Sequence, residues 1–311
     1  MTGTLVFVVT FLRRDRWMLF WWILGGAALF WVTAYSVDGL YTTQAEYDAA
    51  AASMEGNAAF VAMAGPARAL NTLGGQVAWQ TTAFGAILAA MMSMFLLGRH
   101  TRAEEEAGRD ELLRAAPVGR YATTTAAVLL TLGANLVLGV AVALSLSGFD
   151  LARPDTWALG LGLTVTGWTF TGTALIAMQL TSSARSAYAI AGVVIGVAYV
   201  LRAVGDVGNG VASWLSPIGW YQAMHQFSGV RWWPALVSLA FTGVCVAAGT
   251  GCTRAATTAP ASSQRGPVRR PRRPDSARRS GWPSVSTAGW SWAGPPACSS
   301  QVWPTARSGT T

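Results

Sequence analysis

Six apolar runs, each close to the ~20 residues a helix needs to cross a bilayer, constrain this chain more than anything else in it. They are Trp17–Ser36, Trp79–Leu97, Ala122–Leu146, Trp157–Leu180, Ala187–Leu201 and Trp233–Gly249. In hydrocarbon every backbone N–H and C=O must find a partner within its own segment, so runs of this length can only be helical. The expectation is an all-α membrane protein, a six-transmembrane-helix bundle occupying residues 1–250. Charged residues make up 12% of the chain, about half the ~25% of soluble domains. The 15 tryptophans suit a chain with two membrane–water boundaries, where indole rings settle.

A short apolar stretch, Leu5–Leu12, precedes Arg13, Arg14 and Arg16. A secretory signal has the opposite order, with its positive charge ahead of the apolar core. The stretch therefore reads as an interfacial helix leading into the first span. Arginine counts in the loops orient the rest. With the N-terminus inside, nine arginines up to residue 250 fall on the cytoplasmic side (13, 14, 16, 99, 102, 109, 114, 120 and 185). Four fall outside (68, 153, 202 and 231). Both termini are thus expected in the cytoplasm, with the chain in the cell (inner) membrane.

The sequence excludes several chemistries. It contains no lysine, so the phosphate-binding loop that ends in Gly-Lys-Ser/Thr is impossible. His100 and His225 fall on opposite sides of the expected topology, and Cys245, Cys252 and Cys298 have no metal-knuckle spacing. No Gly-x-Ser-x-Gly elbow with a histidine partner appears. The expectation is a non-enzyme with no catalytic residue, no metal site and no cofactor. The six runs hold no Asp, Glu, Arg or His, whereas proton-coupled carriers keep such groups inside the membrane. Asn135 and Gln179 are the most polar side chains of the spans and read as helix–helix hydrogen bonds. Gly192-Val-Val-Ile-Gly196 is a weak small-residue face.

The most informative segment lies between spans two and three, from Arg99 to Arg120. It includes Arg102, Glu104, Glu105, Glu106, Arg109, Glu111, Leu112 and Leu113. Glu104–Leu113 suits a short charged helix with Leu112 and Leu113 as its apolar edge and Pro117 as its stop. Such a helix fits a partner's groove; a solvated charged loop is the other reading.

At this segment the sequence resembles the ABC-2-type permeases, and within them the actinobacterial branch described as polyketide-antibiotic exporters. The matching residues are Arg102–Glu106, Gly108-Arg109, Glu111-Leu112 and Pro117–Arg120. Two further places agree: Arg13-Arg14-Asp15-Arg16 with Trp21-Trp22, and Trp214-Leu-Ser-Pro217-Ile-Gly219-Trp220. The resemblance covers about residues 4–250. It implies that Glu104–Arg114 is a coupling helix resting on a separate ABC ATPase subunit, and that Leu5–Arg16 is an elbow helix on the cytoplasmic face. It also implies that Trp214, Pro217 and Trp220 mark the extracellular boundary. The cargo would be hydrophobic compounds such as polyketide antibiotics. The chain departs from the branch at Met224-His225-Gln226-Phe227, where Arg-Pro-Phe is usual, and in carrying one six-span half where the branch carries two. A second permease half or a homodimer is therefore an expected partner. The rivals are a secondary carrier and a membrane scaffold or truncated fragment that transports nothing.

Residues 251–311 differ in kind. They hold 8 of the 13 prolines, and nine arginines against one acid, Asp275. A disordered basic tail is the expectation, without a nucleic-acid partner. The Arg, Pro, Ser, Gly and Trp excess also fits GC-rich DNA read in a shifted frame. The gene sequence tests that reading, and unbroken coding of the tail in close relatives would contradict it.

Overall fold

The computed structural model describes residues 3–106, 122–181 and 183–258. Arg109, Glu111, Leu112 and Leu113 lie outside these residues, as does the tail beyond Thr258. The described residues are helical and contain no strand. Six helices are long and apolar enough to cross a membrane, which makes this a multi-pass membrane protein. They are α1 (Thr4–Leu40), α4 (Leu73–His100), α6 (Ala122–Ser145), α7 (Arg153–Leu180), α8 (Ala184–Val207) and α10 (Trp233–Thr258). Shorter helices join them: α2 (Gln44–Met54), α3 (Ala58–Ala64), α5 (Arg102–Glu106) and α9 (Pro217–Gln222), with 3-10 turns at Leu146–Gly148 and Ala212–Leu215.

Helix α7 is the hub, packing against α4, α6, α8 and α10, while α1 packs against α4 and α6. The windows of α4 and α7 that could cross the membrane are the most buried; those of α1, α8 and α10 are mostly exposed. That split follows from composition. Helix α7 carries glycine and threonine where neighbours press closest, and small residues let helix backbones approach in lipid. Gly139 of α6 and Gly160 of α7 meet backbone to backbone. A Cβ on either glycine would stand 2.3 Å from the other's carbonyl oxygen. The outer helices instead present Val193, Val197, Val200 and Val204 of α8, or Leu236 and Val244 of α10, side chains suited to lipid contact.

Three points are corrected or refined. The segment Leu5–Arg16 leads into the first span without a break, since α1 runs for 37 residues. At 1.5 Å per residue that is about 55 Å, against ~30 Å of hydrocarbon. The segment before Trp17 contains neither proline nor glycine after Thr4, so nothing in it stops the helix. The polar stretch between the first two apolar runs also holds regular structure. Thr43 and Glu46 form a reciprocal capping box that starts α2, the arrangement expected of a Thr-x-x-Glu sequence. Asn57 caps α3 by accepting from the Ala59 N–H at 3.0 Å.

The third correction concerns charge. The fifth span does not end at Leu201; α8 continues to Val207 and takes Arg202 and Asp206 with it. Arg202 is wholly buried. Asp15 of α1 and His100 of α4 are buried as well. Ionisable side chains are thus present within the long helices, gathered toward the two ends of the bundle.

Candidate functional site

Residues of the sequence-marked segments group at opposite ends of the bundle. At the arginine-rich end, α5 follows the second span after the single residue Thr101. Its charged side chains reach three other spans. Glu104 accepts from Arg14 Nη1 of α1 at 2.6 Å. The Arg102 Nε–H donates to the Met178 carbonyl in the last turn of α7, and Arg102 Nη1 pairs with Glu105 at 2.5 Å. Glu106 accepts from the Ala184 N–H, the first residue of α8, at 2.6 Å. A carboxylate at a helix N-terminus meets free N–H groups and the positive end of the helix dipole. A displacement of α5 would therefore pull directly on spans one, four and five.

Beneath α5 lies a compact ionic cluster. His100 Nε2 and Asp15 Oδ2 are 2.5 Å apart, with both side chains fully buried. Arg99 Nε stands 3.2 Å from Asp15 Oδ1, and Arg14 Nη2 lies 3.2 Å from His100 Nδ1. The Phe11 ring stacks on the imidazole with centroids 3.9 Å apart. A buried carboxylate is tolerated only where partners surround it, and here α1 and α4 supply them. On α5 the Glu105 side chain is 45% exposed, against 18% for Glu104.

At the opposite end, α2, α3, the Ala212–Leu215 turn and α9 form a cap over the spans. Its keystone is the C-terminal end of α3. The Met63 carbonyl accepts from Arg202 Nη2 and from the Tyr199 hydroxyl, each at 2.9 Å. The Ala64 carbonyl accepts from Gln222 Nε2 at 2.8 Å, and the Gly65 carbonyl from Trp79 Nε1 at 2.8 Å. These carbonyls lie where a helix ends without intrahelical donors. Spans two and five and helix α9 each satisfy one of them.

The boundary residues singled out in the sequence meet here. Pro217 occupies the first turn of α9, a position where its missing N–H costs nothing, and Ser216 caps the helix through the Ile218 N–H. Trp220 Nε1 donates to the Trp214 carbonyl at 2.7 Å. Trp214 stacks on Trp233 of α10 with centroids 4.9 Å apart. Inside the cap, Tyr221 hydrogen-bonds to the Leu159 carbonyl at 2.7 Å.

The loop after α9 carries His225 and Phe227, both with positive φ, 54° and 59°. Non-glycine residues hold that conformation only where surroundings impose it. Here the Phe227 N–H donates to Asp155 at 2.7 Å, and the Arg231 N–H donates to the Met224 carbonyl at 2.8 Å. Burial, followed by the charges of Arg68 and Arg231, pushes the His225 imidazole from 6.5 down to about 4. A group depressed on folding binds its proton first in the unfolded chain. The cap is therefore fully stable above about pH 6.5 and loses stability as the pH falls toward 4. A detergent-solubilised sample should show its melting temperature fall across that window, and His225→Gln should flatten the fall.

Asn135 serves as the sequence implied. Its amide donates to Ser93 Oγ of α4 and to the Thr131 carbonyl, both at 2.9 Å. A Cβ added at Gly192 or Gly196 would have no neighbouring atom within 4 Å, so among the described residues their face meets no other helix. Cys245 is a buried free thiol against Gly172. Among the described residues no group of three His, Cys, Asp or Glu could hold a metal. The ties that α5 makes to α1, α7 and α8 could not be read in advance, because each joins residues 76 to 90 positions apart.

A multidrug efflux system permease protein of Mycobacterium tuberculosis is 40% identical to the chain over 244 residues. The matched region covers 78% of this chain and 44% of that protein, so the chain spans less than half the length of its relative. No family model matches the chain.

Proposed function

We propose that residues 1–250 form a permease domain of a multidrug efflux system of the ABC-2 type, and that residues 251–311 lie outside that domain. The observation that carries this reading is the 40% identity to an efflux permease across 78% of the chain. The structure supports it through α5, whose ties to α1, α7 and α8 suit a lever between a partner and the spans. A separate ATPase subunit binds the segment containing Arg102, Glu104, Glu105, Glu106, Arg109, Glu111, Leu112 and Leu113. ATP binding in that subunit moves α5, and the spans shift between inward- and outward-facing packings. The cargo is a hydrophobic compound such as a polyketide antibiotic. A second permease half, or a second copy of the chain, completes the pathway.

In this reading the arginine-rich end and both termini face the cytoplasm, in line with the arginine distribution. Trp214, Pro217 and Trp220 then sit at the extracellular boundary.

One observation favours a second reading. The buried Asp15–His100 pair is the kind of ionisable couple that proton-driven carriers use. Proteoliposomes holding the chain and its cognate ATPase separate the two. ATP-dependent uptake of a lipophilic dye into vesicles with α5 outward is expected, unchanged when the proton gradient is collapsed. Uptake that follows the gradient and ignores ATP would establish the carrier instead.

A further inference from the structure

The hydrogen bonds of His100 assign its proton. A guanidinium has five N–H donors and no acceptor. Arg14 Nη2, which lies 3.2 Å from His100 Nδ1, is therefore the donor, and Nδ1 accepts through its lone pair. The ring's one proton is then on Nε2, donated to Asp15 Oδ2 at 2.5 Å. His100 is a neutral imidazole, although a carboxylate stands against it.

The charges around the ring agree with that state. Arg14 and Asp15 reach it from α1, and Arg99 stands beside it on α4. Glu104 of α5 joins through Arg14. Two guanidiniums thus face two carboxylates, and the set balances only while the imidazole is neutral. The remaining titratable groups of the packed helices are engaged or placed elsewhere. Arg13 and Arg16 of α1 are exposed, α6 carries no titratable side chain, and Arg153 and Asp155 lie at the far end of α7. On α8, Tyr188 packs against Gly98 and Arg185 is exposed. On α5, Arg102 and Glu105 pair with each other, and Glu106 is bound to the start of α8.

A proton on Nδ1 changes this arrangement. It turns the acceptor into a donor that faces the donor of Arg14, and it adds an uncompensated charge to a buried site, which is costly. His100 and Asp15 have no route to water, since both side chains are fully buried. Arg14 has one, because its side chain is 33% exposed. The same guanidinium holds Glu104 at 2.6 Å, so its departure loosens the tie between α5 and α1. We propose that His100 is a proton-operated latch on α5. Neutral, it keeps Arg14 seated between α1 and Glu104; protonated on Nδ1, it expels Arg14 and frees α5 from α1. The latch belongs to this chain alone, whether or not an ATPase docks on α5, and it needs no proton gradient across the membrane.

The test uses the full chain in lipid nanodiscs with 15N-labelled histidine. The chain has two histidines, so the signal lost in His225→Gln identifies the other. At about pH 8, the upper end of the range in which histidine changes charge, His100 should show an unprotonated Nδ1 and a protonated Nε2. As the pH falls to about 5, Nδ1 should gain its proton. Hydrogen-exchange protection over Arg102–Glu106, corrected for the intrinsic effect of pH on exchange, should fall with the same midpoint. The expected fall is about tenfold, as for loss of one hydrogen bond to a charged group. His100→Gln separates the latch from the carboxylates of α5. Its amide can accept from Arg14 and donate to Asp15 but takes up no proton, so protection should stay high throughout. Arg14→Gln removes the arm at a partly exposed position, and its α5 should exchange fast at every pH. It keeps the test decisive should His100→Gln fail to fold. Four results would each overturn the proposal: a protonated Nδ1 at the upper pH, a ring that gains no proton before the chain unfolds, titration without a change in α5 exchange, or a pH-dependent fall that survives either substitution.

Discussion

Arg202→Ala is expected to cost about 3–5 kcal/mol, the usual penalty for removing one partner of a buried charged pair. The guanidinium is wholly buried. It holds the Met63 carbonyl at 2.9 Å, lies 4.5 Å from the centroid of the Tyr199 ring and offsets the charge of Asp206. Removing it leaves that carboxylate without its cation and the Met63 carbonyl with only the Tyr199 hydroxyl. The loss should concentrate in the cap, so hydrogen exchange should rise over α2, α3 and α9 well before the spans open. Replacing both partners with apolar residues, Arg202→Met with Asp206→Leu, should recover much of the loss, because neither charge is then stranded. Equilibrium unfolding in mixed micelles measures both variants. An Arg202→Ala protein as stable as the parent would show that the cap is held by other contacts.

Gly160→Leu is the second large effect, and its origin is steric. Even a single carbon at Gly160 would approach the Gly139 carbonyl oxygen to 2.3 Å. At Gly139 it would stand 2.0 Å from Thr164 Oγ1. The Gly139 carbonyl that a Gly160 side chain would meet is backbone, which cannot rotate away as a side chain can. Overpacking of a tight core costs about 1–3 kcal/mol and occasionally more, and a leucine against backbone belongs at or above that limit. Helices α6 and α7 would have to separate at the point where Asn135 and Thr164 also meet, since Thr164 Oγ1 donates to the Asn135 carbonyl at 3.2 Å. Gly192→Leu on α8 is the control, because a Cβ there has nothing within 4 Å. It should change stability little, and the difference between the two variants isolates the packing contribution.

The long helices were legible because hydropathy and the backbone's need for internal hydrogen bonds are local properties. Ala122–Leu146 and Trp157–Leu180 carry their own instructions, and so does the Thr43–Glu46 capping box inside a stretch that hydropathy alone marks as a loop. What was not legible depends on distant partners. Arg202 follows an apolar run that ends at Leu201, so the sequence places it in a loop. In the continued helix Arg202 donates a hydrogen bond to the Met63 carbonyl, 139 residues away in the chain. The same holds for Glu106, whose charge suggests a surface for a partner and whose carboxylate also caps α8. The sequence correctly assigned Asn135 to helix–helix bonding, since an amide in mid-span has few other uses in lipid.

Of the three carboxylates on α5, Glu105 is the one to vary in testing the proposed docking surface. Glu104 and Glu106 are fastened to α1 and α8, so reversing their charge would disturb the bundle itself. Glu105 pairs only with its helix neighbour Arg102 among the contacts described, and such exposed pairs contribute little to stability. The most direct test of the central claim is capture of an ABC ATPase subunit from the same organism by the full chain in mild detergent, with and without Glu105→Arg. The account predicts that the parent chain retains the ATPase and that the variant, folded and equally stable, retains little. Because the ATPase works on cytoplasmic ATP, capture would also place the arginine-rich end inside the cell. Failure of the parent chain to hold the ATPase, or capture unaffected by Glu105→Arg, would contradict the assignment of α5 as the docking element.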